Sequence, residues 1–188
     1  MIKKIYGDCW NFLRDSKYYV MAVALAFLIP VIFGFIFPIF LGDFIEQFVK
    51  QVVSETEGLG FFQLFIFIFE NNLKTSFIGM IFGVIFGIVP VIFALFNGYV
   101  LGYVMGKASG SLGAGVFLKI LPHGVFEIPA LILSLSAGLR IGFSYFYKKK
   151  KRGFMETVSN SLKLFLFVIL PLLLIAAFIE TCLIFFWK

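Results

Sequence analysis

The sequence is poor in charged residues, and this shortage excludes an ordinary soluble protein. Only 14% of the 188 residues are Asp, Glu, Lys or Arg, whereas 61% are hydrophobic and 28 are Phe. A soluble chain of this length could not cover so much apolar surface, but a lipid bilayer can. We therefore predict an all-α integral membrane protein with a single membrane domain over residues 1–188.

Cysteine and histidine are too few for a disulfide framework or a metal centre. Cys9 and Cys182 stand near opposite ends of the chain, and the topology below places them on opposite membrane faces, so we expect no intrachain disulfide. A single histidine without a cysteine cluster makes a poor zinc site. We predict no cofactor. Because no phosphate-binding loop or activated nucleophile is recognisable, we also predict no enzymatic activity.

The basic residues are distributed as in a membrane protein and not as in a nucleic-acid-binding protein. The net charge is +6, yet the basic residues collect before the first apolar run and in one block between two later runs. Cytoplasmic loops carry such an excess. The pattern predicts a lipid bilayer as partner and no nucleic acid. The block, which we expect to act as a cytoplasmic anchor, consists of Lys148, Lys149, Lys150, Lys151 and Arg152.

Long apolar runs predict about five transmembrane helices, several of them broken or kinked by proline or glycine. Both basic segments favour the cytoplasm, so the chain crosses an even number of times between them. The first span and the span over residues 121–147 supply two of these crossings. The run over residues 61–106 must therefore supply two more, with a break near Pro90, or form a re-entrant hairpin. The protein is then a multi-pass plasma-membrane protein with a cytoplasmic N-terminus and an external C-terminus. The predicted spans cover residues 19–41, 61–88, 91–106, 121–147 and 162–186, with a basic cytoplasmic loop over 148–161.

An amphipathic helix is expected near residues 43–57, between the first two spans. Phe44, Ile45, Phe48, Val52 and Val53 recur there at helical spacing among charged residues. This pattern is typical of a helix that lies on the membrane surface.

Polar residues inside the apolar runs are candidates for function, because charge within a membrane is costly. His123 and Glu127 lie four residues apart, on one helical face. The predicted topology brings further polar residues toward the same external side. They could form a structural pair that locks two helices, a docking point or an ion site. The predicted functional polar cluster comprises His123, Glu127, Glu70, Asn71, Asn72, Lys119 and Glu180.

Glycines at intervals of four predict close helix packing, since small residues let two backbones approach. The partner helix could belong to the same chain, a second copy or another protein. Asn97 is expected to form an interhelical hydrogen bond. Arg140 is expected to reach the headgroups and act as an anchor. The packing glycines are Gly98, Gly102, Gly106, Gly138 and Gly142.

Four motifs resemble the stage II sporulation protein M family. LPHGVFEIPA at residues 121–130 and AGLRIG at 137–142 resemble its central signature. NNLK at 71–74 and FNGYVLG at 96–102 are similar to its pattern elsewhere. The sequence departs at 134–136, Ser-Leu-Ser, where small glycine-like residues are commoner in relatives. The resemblance covers most of the chain.

The resemblance implies a plasma-membrane protein with several spans. In spore formers, relatives are the membrane platform of an engulfment complex that recruits two peptidoglycan-degrading proteins, and the platform is not the hydrolase. The family also occurs in organisms without spores or peptidoglycan, where that role cannot transfer.

Two functions fit the sequence. The first is a non-enzymatic membrane scaffold that self-associates, with a dimer favoured, and recruits other membrane or envelope proteins. The second is a small ion- or proton-coupled channel or transporter that uses His123 and Glu127. A scaffold predicts a dry, paired polar cluster, whereas a transporter predicts a water-filled cavity that reaches it from one side.

Overall fold

Helices make up the fold of this chain in a computed structural model that describes residues 2–38, 41–112, 115–146 and 150–186. The side chains of Ile2 and of residues 110–112, 115–123 and 150–152 also lie outside the description. No strand occurs within the described ranges. The α-helices are α1 Ile2–Asp15, α2 Lys17–Ile36, α3 Gly42–Thr56, α4 Phe61–Ile81, α5 Ile88–Leu112, α6 Gly115–Ser144, α7 Lys150–Leu164 and α8 Leu170–Phe186.

Five of the described helical segments are long and apolar enough to cross a membrane, which confirms the predicted class. Most of the large side chains that they expose are apolar, as a lipid environment requires; Ile29 and Ile32, for example, are each 61% exposed. The segments are Lys17–Ile36, Phe61–Val84, Ile88–Ser109, Gly124–Ser144 and Gly153–Phe186.

The chain turns between the second and third of these segments just before Pro90. A 3₁₀ turn at Phe82–Val84 ends the second span, and Phe86 and Gly87 both have positive φ, at 51° and 72°. Pro90 lies in the first turn of α5. Its missing N–H costs nothing there, because the first turn has no intrahelical acceptors. The run over 61–106 therefore contains two helices of spanning length.

Two amphipathic helices, α1 and α7, occupy segments that were predicted as basic flanking sequence and as a loop over 148–161. In α1, Cys9 and Phe12 are buried against Leu164 and Phe165, so its apolar side contacts protein. Helix α7 begins at Lys150 and leads directly into α8, the last helix of the chain. A five-residue π-helical segment, Phe165–Ile169, joins α7 to α8 just before Pro171. The proline ring cannot accept normal α-helical geometry there, and a π segment relieves the clash.

The core surrounds α6, which contacts α2, α4, α5, α7 and α8. The amphipathic helix predicted near 43–57 is α3, and it rests partly on α5 because Ile45 is fully buried against Tyr99 and Tyr103. The Tyr99 hydroxyl also donates a 3.1 Å hydrogen bond to the Phe37 carbonyl. These contacts fix the connection from α2 to α3.

Candidate functional site

An acidic pair lies between α6 and α8. Glu127 is on α6, Glu180 is on α8, and the charge of Glu127 acts on Glu180 across the contact of the two helices. Both side chains are half-buried. Within the described ranges, neither carboxyl group forms a hydrogen bond or an ion pair. Two facing carboxyl groups in a membrane can share a proton or hold a cation, and both arrangements remove their mutual repulsion.

The structure joins only part of the predicted polar cluster. Lys119 and His123 are on α6 with Glu127, but their side chains lie outside the described residues. Glu70 instead pairs with Lys74 of its own helix, with 2.8 Å between Nζ and Oε2. No described interaction links Glu70, Asn71 or Asn72 to Glu127 or Glu180. The sequence predicted one cluster because all these residues share a side of the membrane in the predicted topology. The described residues instead form an acidic pair between α6 and α8 and a separate polar patch on α4.

Arg140 holds the N-terminal helix to the end of α6. Its guanidinium donates hydrogen bonds to the Phe12 carbonyl at 2.9 Å and to the Ser16 hydroxyl at 2.6 Å. The guanidinium carbon also lies 4.2 Å from the centre of the Phe12 ring, within cation–π range. The sequence predicted a headgroup anchor, whereas the structure uses these contacts to fix the junction of α1 and α2.

A polar cavity of 610 Å³ lies beside Arg140, between α1 and α7. Burial raises the pKa of the nearby Cys9 thiol, and the negative charge of Asp8 adds to the rise. Both acidic and basic groups line the cavity, so it suits a polar segment that carries charge. Its charged and amide side chains are Asp8, Asn11, Asp15, Arg140, Glu156, Asn160 and Lys163.

The cavity does not follow from the prediction above, in which residues 2–15 are only the basic flank of the first span. The signal was present in the helical spacing of Ile5, Cys9 and Phe12, which gives α1 one apolar stripe. That stripe predicts a helix packed on another element, with Asp8, Asn11 and Asp15 turned to its side.

The glycines at intervals of four are filled by helices of the same chain. A Cβ at Gly98 or Gly102 would overlap the carbonyl oxygen of Phe27 or Val31, and one at Gly106 would lie 2.9 Å from that of Phe35. All three contacts are between α5 and α2. This answers the question that the sequence left open, because the stripe is closed within one copy.

A second glycine seam joins α4 to α6. A Cβ at Gly138 would lie 2.7 Å from the Gly79 oxygen, and one at Gly142 would lie 2.5 Å from the Gly83 oxygen. The buried Ser134 hydroxyl donates a 2.7 Å hydrogen bond to the Ser76 carbonyl across the same seam.

Asn97 and the basic block at residues 148–152 remain from the sequence predictions. Asn97 donates to the Phe93 carbonyl of its own helix at 2.8 Å, so its bond is not interhelical. Lys148 and Lys149 of the basic block lie outside the described residues. So do the side chains of Lys150, Lys151 and Arg152, although these three belong to α7.

Most of the chain, including the four motifs, matches one known family. Residues 23–183 match the family model described as Stage II sporulation protein M. The chain belongs to the stage II sporulation protein M family. The prediction made from LPHGVFEIPA and its companion motifs is confirmed, and the protein is a membrane protein with several spans. Within the sporulation protein M match lie Glu127, Glu180 and Arg140, whereas α1 precedes it.

A curated relative in the comparison is the uncharacterized protein MJ0793 of Methanocaldococcus jannaschii. The two sequences are 45% identical over 65 residues, which are 32% of this chain and 36% of that protein. The chain thus spans about a third of the length of that relative. No solved structure matches the chain.

Proposed function

We propose that this member of the stage II sporulation protein M family is a non-enzymatic scaffold of the plasma membrane. It self-associates and recruits partner proteins, with its N-terminus in the cytoplasm and its C-terminus outside. The polar cavity between α1 and α7 carries this proposal, because Arg140 fixes one wall of it to the membrane bundle. A concave polar face on a rigid anchor is suited to hold a charged protein segment.

The interior packing supports a scaffold over a conduit. The α2–α5 and α4–α6 seams bring glycine backbones against carbonyl oxygens, which leaves no room for water between these helices. The Ser134 hydroxyl donates its hydrogen bond to the Ser76 carbonyl. A serine bonded in this way stabilises a helix contact and is not activated for attack.

Photo-crosslinking in the native host tests the recruiting face. A benzophenone residue at Asn160, in the cavity wall, is expected to give a discrete protein adduct. The matched control is the same residue at Leu25, which is 51% exposed on the apolar side of α2 and is expected to give lipid adducts only. The Arg140→Gln variant should lose the Asn160 adduct, because α1 is no longer fixed. Equal adducts at both positions, or none at Asn160, would contradict recruitment at this face.

The acidic pair favours a second candidate, which is an ion- or proton-coupled transporter. Glu127 and Glu180 interact electrostatically where α6 packs on α8, inside two of the membrane-spanning segments, and acidic residues at such depths commonly mark ion or proton paths. Purified protein in proteoliposomes tests this function. A pH- or cation-driven flux that the Glu127→Gln variant abolishes, with folding intact, would favour the transporter. An assembly defect in Glu127→Ala without any flux in the native protein favours the scaffold.

A further inference from the structure

The ion pair of α4 lies at the middle of a membrane span. The span covers Phe61–Val84, so Glu70 and Lys74 are each roughly 14 Å along the helix from the nearer end at 1.5 Å per residue. This distance is close to half of a hydrocarbon core of about 30 Å. Neither side chain can reach the headgroups from that depth by extending its stem.

The same pair points away from the rest of the chain. Gly79 and Gly83, which contact α6, lie nine residues after Glu70 and Lys74, which is a half-turn offset on the helix. The side chains of Lys74 and Glu70 are 66% and 53% exposed. In a single copy they would face lipid.

Lipid is a poor environment for this patch. The pair carries two charges, and the side-chain amide of the exposed Asn71 has no hydrogen-bond partner within the described ranges. Charges and unsatisfied amides at the bilayer centre are costly and are normally turned toward protein. The surrounding exposed residues Phe77 and Ile78 are apolar, so the polar patch is surrounded by side chains that exclude water.

A second copy of the chain is the occupant that matches this patch. Copies inserted in the same orientation present residues 70–74 at the same depth. The patch holds one carboxylate, one ammonium group and one amide, so it is neutral and complementary to itself under a two-fold axis. The glycine stripes are already filled by α2 and α6 of the same copy and do not compete as the dimer interface.

We propose that two copies dimerise through α4, with Glu70, Asn71 and Lys74 of each copy covering those of the other. Each Lys74 then lies within reach of both Glu70 carboxylates, and the two amides bond across the axis. This inference rests on the self-association proposed above and names the surface that produces it.

Cysteine cross-linking in lipid nanodiscs tests the surface. The background is Cys9→Ser with Cys182→Ser. Test variants are Asn71→Cys and, to keep the amide, Ile78→Cys, which lies on the same exposed side of α4. The control is Leu25→Cys, exposed at a similar depth on α2. Copies per particle are counted in parallel by stepwise photobleaching.

We expect two copies per particle and a disulfide-linked dimer from both α4 variants, at least tenfold faster than from Leu25→Cys. Two copies without preferential α4 cross-linking would overturn this surface but leave self-association intact. One copy per particle would overturn both the surface and the self-association.

Discussion

Two glutamate–lysine ion pairs lie on consecutive helices, one on α3 outside the membrane spans and one on α4 within a span. Glu46 and Lys50 of α3 lie 2.7 Å apart, and Glu70 and Lys74 of α4 lie 2.8 Å apart, each pair one helical turn along. The exposed fractions are similar, with 45% and 74% for the α3 side chains and 53% and 66% for those of α4. Because α3 is not among the membrane-spanning helices, only the α4 pair must be covered by protein.

The contrast shows that exposure within one copy has no fixed meaning for a membrane protein. On α3, an exposed ion pair is solvated and contributes little. On α4, the same exposure at the centre of a span signals a missing neighbour. Depth along the helix separates a solvated surface from an interface.

The largest expected effect is the loss of the dimer when the α4 pair becomes apolar. In Glu70→Leu with Lys74→Leu, dimer dissociation should increase at least tenfold, because several interhelical polar contacts of about 0.6 kcal/mol or more are lost together. The monomer should remain folded, since replacing a central lysine favours insertion by about 3 kcal/mol. The measurement is the dimer fraction against the protein-to-lipid ratio.

The α3 pair supplies the matched control for this variant. Glu46→Leu with Lys50→Leu removes the same charges and should leave the dimer fraction unchanged. Equal effects of the two double variants would contradict the role given to α4.

Dimer stability should depend more on the net charge of the α4 patch than on which of residues 70 and 74 carries each charge. The exchanged pair Glu70→Lys with Lys74→Glu keeps the patch neutral, so dimer dissociation should stay within about threefold of the native value. Glu70→Lys alone places four ammonium groups at the axis and should weaken the dimer clearly more. Mass photometry in nanodiscs measures both. A dimer that tolerates the single change as well as the exchange would argue against contact between the patches.

Salt concentration should have only a small effect on the dimer fraction, because the α4 pair lies in the hydrocarbon. Raising the salt concentration to 1 M shortens the screening length in water to about 3 Å. Ions do not enter the hydrocarbon, so the dimer fraction should change by less than about twofold over the range in which the α3 pair is screened. A steep fall in dimer fraction with salt would place the dimer contact in water.

The smallest effect is the titration of Glu46. The hydrogen bond from Lys50, together with its positive charge, lowers the pKa of Glu46 below the ordinary value of 4.5. Because the folded pKa is depressed, this contribution is present above pH 4.5 and is lost as the pH falls through the folded pKa. Carboxyl NMR titration of the native protein and Lys50→Gln should show the variant closer to 4.5. Identical titration curves would refute the pairing.

Depth along each helix could be predicted from the sequence. Apolar runs indicate five spans, and two basic segments with Pro90 favour a turn inside the run over 61–106, in which Phe86 and Gly87 have positive φ. These features depend on local composition, which the bilayer selects directly.

Rotation about each helix axis could not be predicted with the same ease. The sequence grouped Glu70 with Glu127 because they share a side of the membrane in the predicted topology, yet the packing of α4 turns Glu70 outward. The nine-residue offset from Glu70 to Gly79 does carry this information, but only once Gly79 is known to contact α6. The partner of the Gly98 stripe likewise depends on tertiary packing, which no local pattern fixes.

The most direct test of the account is the distance between the two α4 helices in a bilayer. Spin labels at Ile78→Cys, which keeps Glu70, Asn71 and Lys74 intact, report it by pulsed electron resonance in the background without Cys9 and Cys182. The account predicts a narrow distribution below about 25 Å, since axes of packed helices lie about 10 Å apart. Labels at Leu25→Cys should give a longer distance. Two-copy particles in which the Ile78 labels are the more distant pair would contradict dimerisation through α4.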